Sequence, residues 1–387
     1  MSIRFTRRGF LATAGASLAS VTGAASATPD PVRFATYNIR DLTTEQVQTP
    51  GDPQAEAAAR VIQEARPDVL ALNEVVNNRQ EGVRTDRTNA RAFVENYLSV
   101  PQRDFLRGID YEHVYVPKSN TGVHSGMDLD NNGVVDDTPG DRTYGNDAFG
   151  YGEYPGQYAL ALVSRYPLDE AAVRSFRTFV WEDMPGNLIV RDDDYDVYLT
   201  EEEAERFRLS SKTHVDVPIE VGDRTVHALL AHPTPSGFDG PENFNGRRCH
   251  DEVRLFADYV AGADYLYDDD GVSGGLDPDA SYALLGDMNA YPGQADNFDA
   301  ATKFLLDTPD FDARPLPTSP GGARRGNPRA TFDSTITIDY VLPSPDLDRR
   351  GTGVVWPARS SSRRGLGADA EAASDHRLVW ADLVPGR

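Results

Sequence analysis

The chain has 387 residues and a formal net charge of −23, with 61 acidic side chains against 38 basic ones and one cysteine, Cys249. A lone cysteine excludes an internal disulfide framework, and beyond a weakly apolar leader no segment approaches the roughly 20 apolar residues of a bilayer span. The lysines are Lys118, Lys212 and Lys303, with arginine supplying the remaining positive charge. Dense carboxylates with few lysines suit concentrated brine, where the Debye length shrinks to ~3 Å at 1 M and mutual repulsion is screened. The same screening removes most of the counterion-release drive for nucleic-acid binding, so the charge excludes neither a nucleic acid nor a small phosphate as partner.

In chain order, residues 1–27 read as an address. Arg7 and Arg8 in TRRGFL, the apolar run from Leu11 to Val21 and the small residues Ala25-Ser26-Ala27 have the order of a twin-arginine signal with its cleavage site. The expectation is an exported product of the twin-arginine machinery, without a stable membrane anchor and monomeric. Residues 28–387 read as one large domain, because no linker or repeat divides them. Alternation from Val32 to Ile39 predicts a strand, Asp52-Pro53 caps a helix that stops at Pro67, and Val69–Leu72 reads as a strand buried on both faces. Further strands are expected at Tyr158–Ser164, Ser211–Ile219, Thr225–Ala231, Tyr282–Leu285, Ile336–Leu342 and Leu378–Leu383. Thr200 with Glu203 predicts a capping box, and Asp251–Val260 a second long helix.

Residues 117–156 form an acidic, glycine-rich insertion, long enough that a compact domain would keep it only for function or motion. Within it Asp128, Asp130, Asn132 and Asp136 place oxygen ligands at alternate positions around Gly133, the pattern of a calcium loop. Pro139 stands where an EF-hand needs its bidentate glutamate, so an EF-hand is excluded. A looser Ca²⁺ loop and a solvated acidic turn both remain open.

Six short motifs follow or end apolar runs: Asn38 in TYNIR, Glu74 in LNEV, His232, Asp287 and Asn289 in GDMN, Asp339 in IDYVLPS, and Asp375-His376 in SDH. A sheet edge can gather such scattered carboxylates, amides and histidines into a site that holds a divalent metal and cuts a phosphate ester. These motifs resemble the endonuclease/exonuclease/phosphatase superfamily, the DNase I-like metal-dependent phosphoesterases, over about Arg33 to Leu383. Stretches such as PGQYALALVSRYP and SSKTHVDVPI are similar to its secreted bacterial and archaeal branch. The resemblance implies an α/β four-layer αββα sandwich of two mixed sheets with outer helices.

Glu74 is expected as the prime metal ligand, since a lone carboxylate after a buried strand has no evident structural task, and Asp375 and Asn38 join it. Hard oxygen ligands suit Mg²⁺ or Mn²⁺, and nothing has zinc spacing. Asp287 is expected to activate water or hold a second metal, and Asn289 to contact a phosphate oxygen. Asp339 would fix the tautomer of His376. The resemblance implies that His232 faces the leaving group, although Pro233 follows it where relatives usually carry leucine. Arg247, Arg248 and His250 are candidate phosphate contacts, and His214 a candidate cleft residue. The leading expectation is an exported metal-dependent phosphoesterase acting on nucleic acid or small organic phosphates. The alternative is an inactive calcium-binding surface protein on the same fold.

Overall fold

Strand alternation and helix amphipathicity build the layers seen in a computed structural model, which describes residues 30–79, 87–190, 198–358 and 365–385. The leader, with Arg7 and Arg8, lies outside the described residues. Pro31–Arg387 clusters as one compact unit. Its strands are β1 (Val32–Leu42), β2 (Val69–Val75), β3 (His113–Tyr115), β4 (Leu160–Ser164), β5 (Arg174–Ser175), β6 (Val215–Val221), β7 (Arg224–Ala231), β8 (Ser281–Asp287), β9 (Asp339–Pro343), β10 (Leu347–Val354) and β11 (Val379–Pro385). One sheet has the order β10-β11-β1-β2-β4-β3 and the other β5-β6-β7-β8-β9.

Period-two alternation divides each central strand between two cores. Phe34, Val69 and Ala71 pack with Val217, Ala228, Leu230, Ala283 and Leu285 between the sheets. The intervening Leu70 and Leu72 pack outward with Ala58, Val61 and Ile62 of the helix Pro53–Ala65. On the second sheet, Leu229 and Leu284 turn outward against Val253 and Phe256 of the helix Phe244–Val260. The result is the expected αββα sandwich of two mixed sheets. The Pro53–Ala65 helix starts where the sequence predicts: Asp52 accepts the Gln54 and Ala55 amides, and proline occupies the first turn, where its missing N–H costs nothing.

Each sheet has a parallel pair at its centre, β1 with β2 and β7 with β8. This directs the C-terminal ends of four strands to one edge. Two antiparallel neighbours bring their opposite ends there too. Asp287 at the end of β8 is in register with Asp339 at the start of β9, and β11, preceded by His376, runs against β1. The second long helix begins at Phe244, well before the expected Asp251, because Asn243 in a left-handed conformation (φ 54°) ends the preceding loop and the GRRC stretch is helical. Strands β3, β5 and β10 were not expected from the sequence.

Candidate active site

Asp287 is the point of convergence. Its Oδ2 accepts a hydrogen bond from Asn38 Nδ2 at 3.0 Å and lies 3.5 Å from His232 Nε2 and 3.7 Å from His376 Nε2. Its Oδ1 accepts the Asn289 amide at 2.9 Å. Asn38 Nδ2 also donates to Glu74 Oε1 at 3.0 Å, so one amide bridges carboxylates from the two sheets. Glu74 Oε2 accepts the Asp41 amide, and the side chain keeps 19% exposure, enough to face the cleft. Both Glu74 and Asn289 are left-handed, with φ of 61° and 47°. Such strain in non-glycine residues costs on the order of 1 kcal/mol each and persists where the surroundings enforce it. Arg40 and Asp41 are left-handed as well, and the β1–β2 register shifts between Asn38 and Leu42. The strand ends are thus bent around the site.

The electrostatics differ sharply between the two histidines. His376 is buried, with Nδ1 3.1 Å from both oxygens of Asp339. Burial opposes its charge, but the carboxylates of Asp339 and Asp287 prevail and push the imidazole up to about 10. His376 is therefore a cation across the neutral range. His232 is equally buried, and burial together with the cations Lys212 and His376 holds it well below the usual histidine range. It is neutral, and its Nδ1 lacks a partner among the described residues. Burial raises Asp287 to about 7, with His376 pulling the other way and Asp339 reinforcing the rise.

A family model for the endonuclease/exonuclease/phosphatase family matches residues 35–376, spanning all of these groups. The chain belongs to that family. Among solved structures it is similar to an endonuclease/exonuclease/phosphatase from Beutenbergia cavernae DSM 12333, at 18% identity and TM-score 0.49, covering 92% of this chain and 72% of that one. It is similar to sphingomyelinase C from Streptomyces griseocarneus at 15% identity and TM-score 0.44, with 92% and 99% covered. A variant of beta toxin from Staphylococcus aureus with bound magnesium ions matches at 14% identity and TM-score 0.45, with 91% and 99% covered. No curated protein matches.

The donor set fits the divalent metal expected of this family. Glu74 retains acceptor capacity at the cleft, Asp287 is held in a raised state that a cation would relieve, and Asn38 brings the two carboxylates together by donating to both. Asn38 departs from its expected role as a ligand, because its amide nitrogen faces the carboxylates while its oxygen accepts the Arg40 amide. Asp375 is half-buried, accepts only a 3.4 Å bond from Ser374 Oγ among the described side chains, and does not line the cleft that holds Glu74. Asn289 lines that cleft, with Nδ2 donating to the Pro233 carbonyl at 3.0 Å. Pro233 thus serves as an anchor beside His232.

Three of the four candidate substrate contacts lie elsewhere. Residues 247, 248 and 250 point in different directions because the segment is helical, at about 100° per residue. Arg248 lines the cleft, yet its guanidinium donates to the carbonyls of Leu209, Phe149 and Arg208. Arg247 turns to the Glu242 carbonyl and the Phe298 ring. His250 pairs with Asp251 at 2.8 Å and lines a separate pocket with Arg254 and Lys303. His214 is buried between Ser210 Oγ and the Glu252 carbonyl, and burial depresses it to about 4, so it is a neutral structural residue.

Lys212 and Glu252 were not singled out from sequence. Lys212 is buried at the floor of the cleft, its Nζ 3.3 Å from the Pro233 carbonyl, with Glu252, Glu74 and Asp287 as its charged surroundings. Glu252 accepts the amides of Ser211 and Thr234, each at 2.6 Å, and so fixes the segment carrying Lys212 against the one carrying His232. The rarity of lysine was the available signal for the first. A glutamate on the apolar face of an amphipathic helix was the signal for the second.

The insertion gathers acids differently from its sequence spacing. Asp128 and Asp130 converge with Asp147, which was not expected. Asn132 and Asp136 are spent locally: Asn132 accepts the Val134 amide, and Asp136 accepts the Thr138 amide and the Thr143 hydroxyl.

Proposed function

We propose that the protein is an exported phosphoesterase that hydrolyses phosphomonoester or phosphodiester bonds with Mg²⁺ or Mn²⁺. The observation that carries this reading is the convergence on Asp287 of Asn38, His232 and His376, from strand ends of both sheets. Glu74, with Asp287 beside it, would hold the metal, which when bound neutralises charge on the phosphoryl oxygens. Asp287, at the point where Asn38, His232 and His376 converge, is placed to accept a proton from the attacking water. As the new P–O bond forms and the ester P–O bond breaks, cationic His376 meets the charge growing on phosphate, and Asp339 holds its ring in place. Lys212 also stands at the floor, where burial lowers its pKa and Glu252, Glu74 and Asp287 oppose that fall. His232, neutral, can offer the leaving oxygen a hydrogen bond but no proton, and the departing alkoxide takes its proton from solvent.

Export follows from the twin-arginine leader, and stability in brine from the acid excess. The loop acids Asp128, Asp130 and Asp147 are where a structural Ca²⁺ would be held. Among the described residues no helix is long and apolar enough to cross a membrane. The test is hydrolysis in molar salt with Mg²⁺, Mn²⁺ or Ca²⁺ of plasmid DNA, RNA, bis-p-nitrophenyl phosphate and p-nitrophenyl phosphate. Turnover of at least one, lost on chelation and in Asp287→Asn, is expected. Failure on all four with every metal would leave the inactive binding protein as the better reading.

A further inference from the structure

The cleft above the strand-end floor has a volume of about 580 Å³, within the ~300–1,000 Å³ usual for small-molecule sites. Its lining is mixed: beside the titratable residues Glu74, Lys212, His232, Asp287 and His376 it carries the rings of Tyr151, Tyr198, Phe238 and Phe244. Tyr198 and Phe244 are stacked, with ring centroids 4.1 Å apart and planes at 25°. Phe238 is 90% exposed on a left-handed residue, φ 66°, an expensive way to present a large apolar ring to water unless a ligand covers it.

The outer wall belongs to the insertion, and it is docked rather than loose. Asn120 donates to the carbonyls of Arg177 and Ser210, and its amide donates to the Lys212 carbonyl. Gly150 approaches so closely that a Cβ there would lie 1.7 Å from the Ser211 oxygen. A nucleic acid polymer needs several cationic contacts along its backbone. Among the described lining residues positive charge comes from Arg142, Lys212, Arg248 and cationic His376, but Arg248 is committed to three carbonyls while Lys212 and His376 sit at the floor, which leaves Arg142 for a chain beyond the first phosphate. Asp130 also lines the cleft, and its negative charge disfavours a further phosphate there. The rim also carries Arg142, Asn146 and Asn245, polar groups that a bilayer would have to dehydrate.

We propose that the substrate is a small phosphate ester bearing one flat aromatic or heteroaromatic ring, its phosphate on the floor and its ring against Phe238 and the Tyr198–Phe244 stack, and that polynucleotides and membrane lipids are poor substrates. The assignment rests on the phosphoesterase reading and narrows it. Each ring face offers dispersion and stacking that an open-chain alcohol cannot use, and such contacts have measured values equivalent to roughly five- to hundredfold per base in single-strand binding.

The experiment uses pairs that leave through the same primary ribose 5-hydroxyl, with and without the base: AMP against ribose 5-phosphate, and their methyl diesters, with plasmid DNA and sphingomyelin vesicles alongside, all in molar salt with Mg²⁺. The ring-bearing member of a pair is expected to be hydrolysed with at least tenfold higher kcat/KM. Phe238→Ala should raise KM for it about tenfold and leave its ring-free partner unchanged, with Phe238→Tyr restoring it. Titration calorimetry of AMP without metal should show the same Phe238 dependence in Kd, independent of turnover. Faster cleavage of plasmid or vesicle lipid, or equal rates within pairs, would overturn the small-ring assignment while preserving the phosphoesterase. Absence of hydrolysis of every ester would sink the phosphoesterase itself, and unchanged AMP binding in Phe238→Ala would then overturn the ring site as well.

Discussion

Asp287 and Asp339 face each other where β8 meets β9, while Asp128, Asp130 and Asp147 gather in a loop of the insertion, so two clusters of similar acids are built in opposite ways. In the loop, backbone amides answer the carboxylates: Asp128 accepts Asn132 and Gly133, and Asp147 accepts Leu129 and Asp136. These acids are the acceptors around which the loop folds. On the floor the donors are mostly side chains, burial is nearly complete and the charges are displaced from their ordinary values. Acidity alone therefore marks neither site. What separates them here is that backbone amides answer both oxygens of Asp128 and Asp147 but only one oxygen each of Asp287 and Glu74, whose other oxygen faces the Asn38 side chain.

The comparison breaks most severely if the floor proves dispensable. His376→Ala should lower kcat on 10²–10⁴-fold grounds typical of acid–base and charge-stabilising groups, without rescue by added metal. Glu74→Gln keeps shape and removes ligand charge, so its loss should be partly recovered by excess Mg²⁺ or Mn²⁺. Steady-state kinetics against metal concentration separate the two, and near-native turnover by both variants would dismantle the site. Asp339→Asn should be milder, roughly 10–100-fold in kcat, because the imidazole keeps its position and loses its fixed charge partner.

The loop acids should respond in stability. Asp147→Asn weakens bonds to two amides, at about 1–2 kcal/mol in total. Limited proteolysis should then reveal new cuts between Pro117 and Gly156, as should chelation if the cluster holds Ca²⁺. An unaltered digestion pattern for Asp147→Asn would deny the cluster its folding role.

A smaller effect concerns His214, buried and held to about 4 in the folded protein against an ordinary value near 6.5. The unfolded chain binds this proton first as pH falls. The stability associated with neutral His214 is complete above about 6.5 and declines until pH reaches about 4, by up to roughly 3 kcal/mol. His214→Gln should flatten the dependence of the denaturation midpoint on pH across that window. An unchanged slope would place the acid sensitivity elsewhere.

Legibility followed the same division. Strand-end residues stood out because a polar group closing an apolar run has a position that alternation can assign, and Asn38, Glu74, His232, Asp287, Asn289, Asp339 and His376 all reach the floor. Asp375 shows the limit of adjacency: beside His376 in sequence, it lies in the bend between the helix Leu366–Ala373 and β11 and is absent from the cleft lining. Arg247, Arg248 and His250 scattered because the residues ahead of the expected helix start at Asp251 are already helical.

From the sequence alone came the strand periodicity, the capped helix at Pro53, the αββα layering implied by family resemblance and the polar residues that end the central strands. These depend on local patterns whose period survives without any knowledge of partners. Tertiary structure decided that Asp147 replaces Asn132 and Asp136 beside Asp128 and Asp130, that Lys212 and Glu252 belong to the floor, that His214 is structural, and that His232 is neutral beside a cationic His376. Each of those outcomes is set by burial and by distances between segments remote in the chain, and a charge state is a property of the surroundings rather than of the residue type.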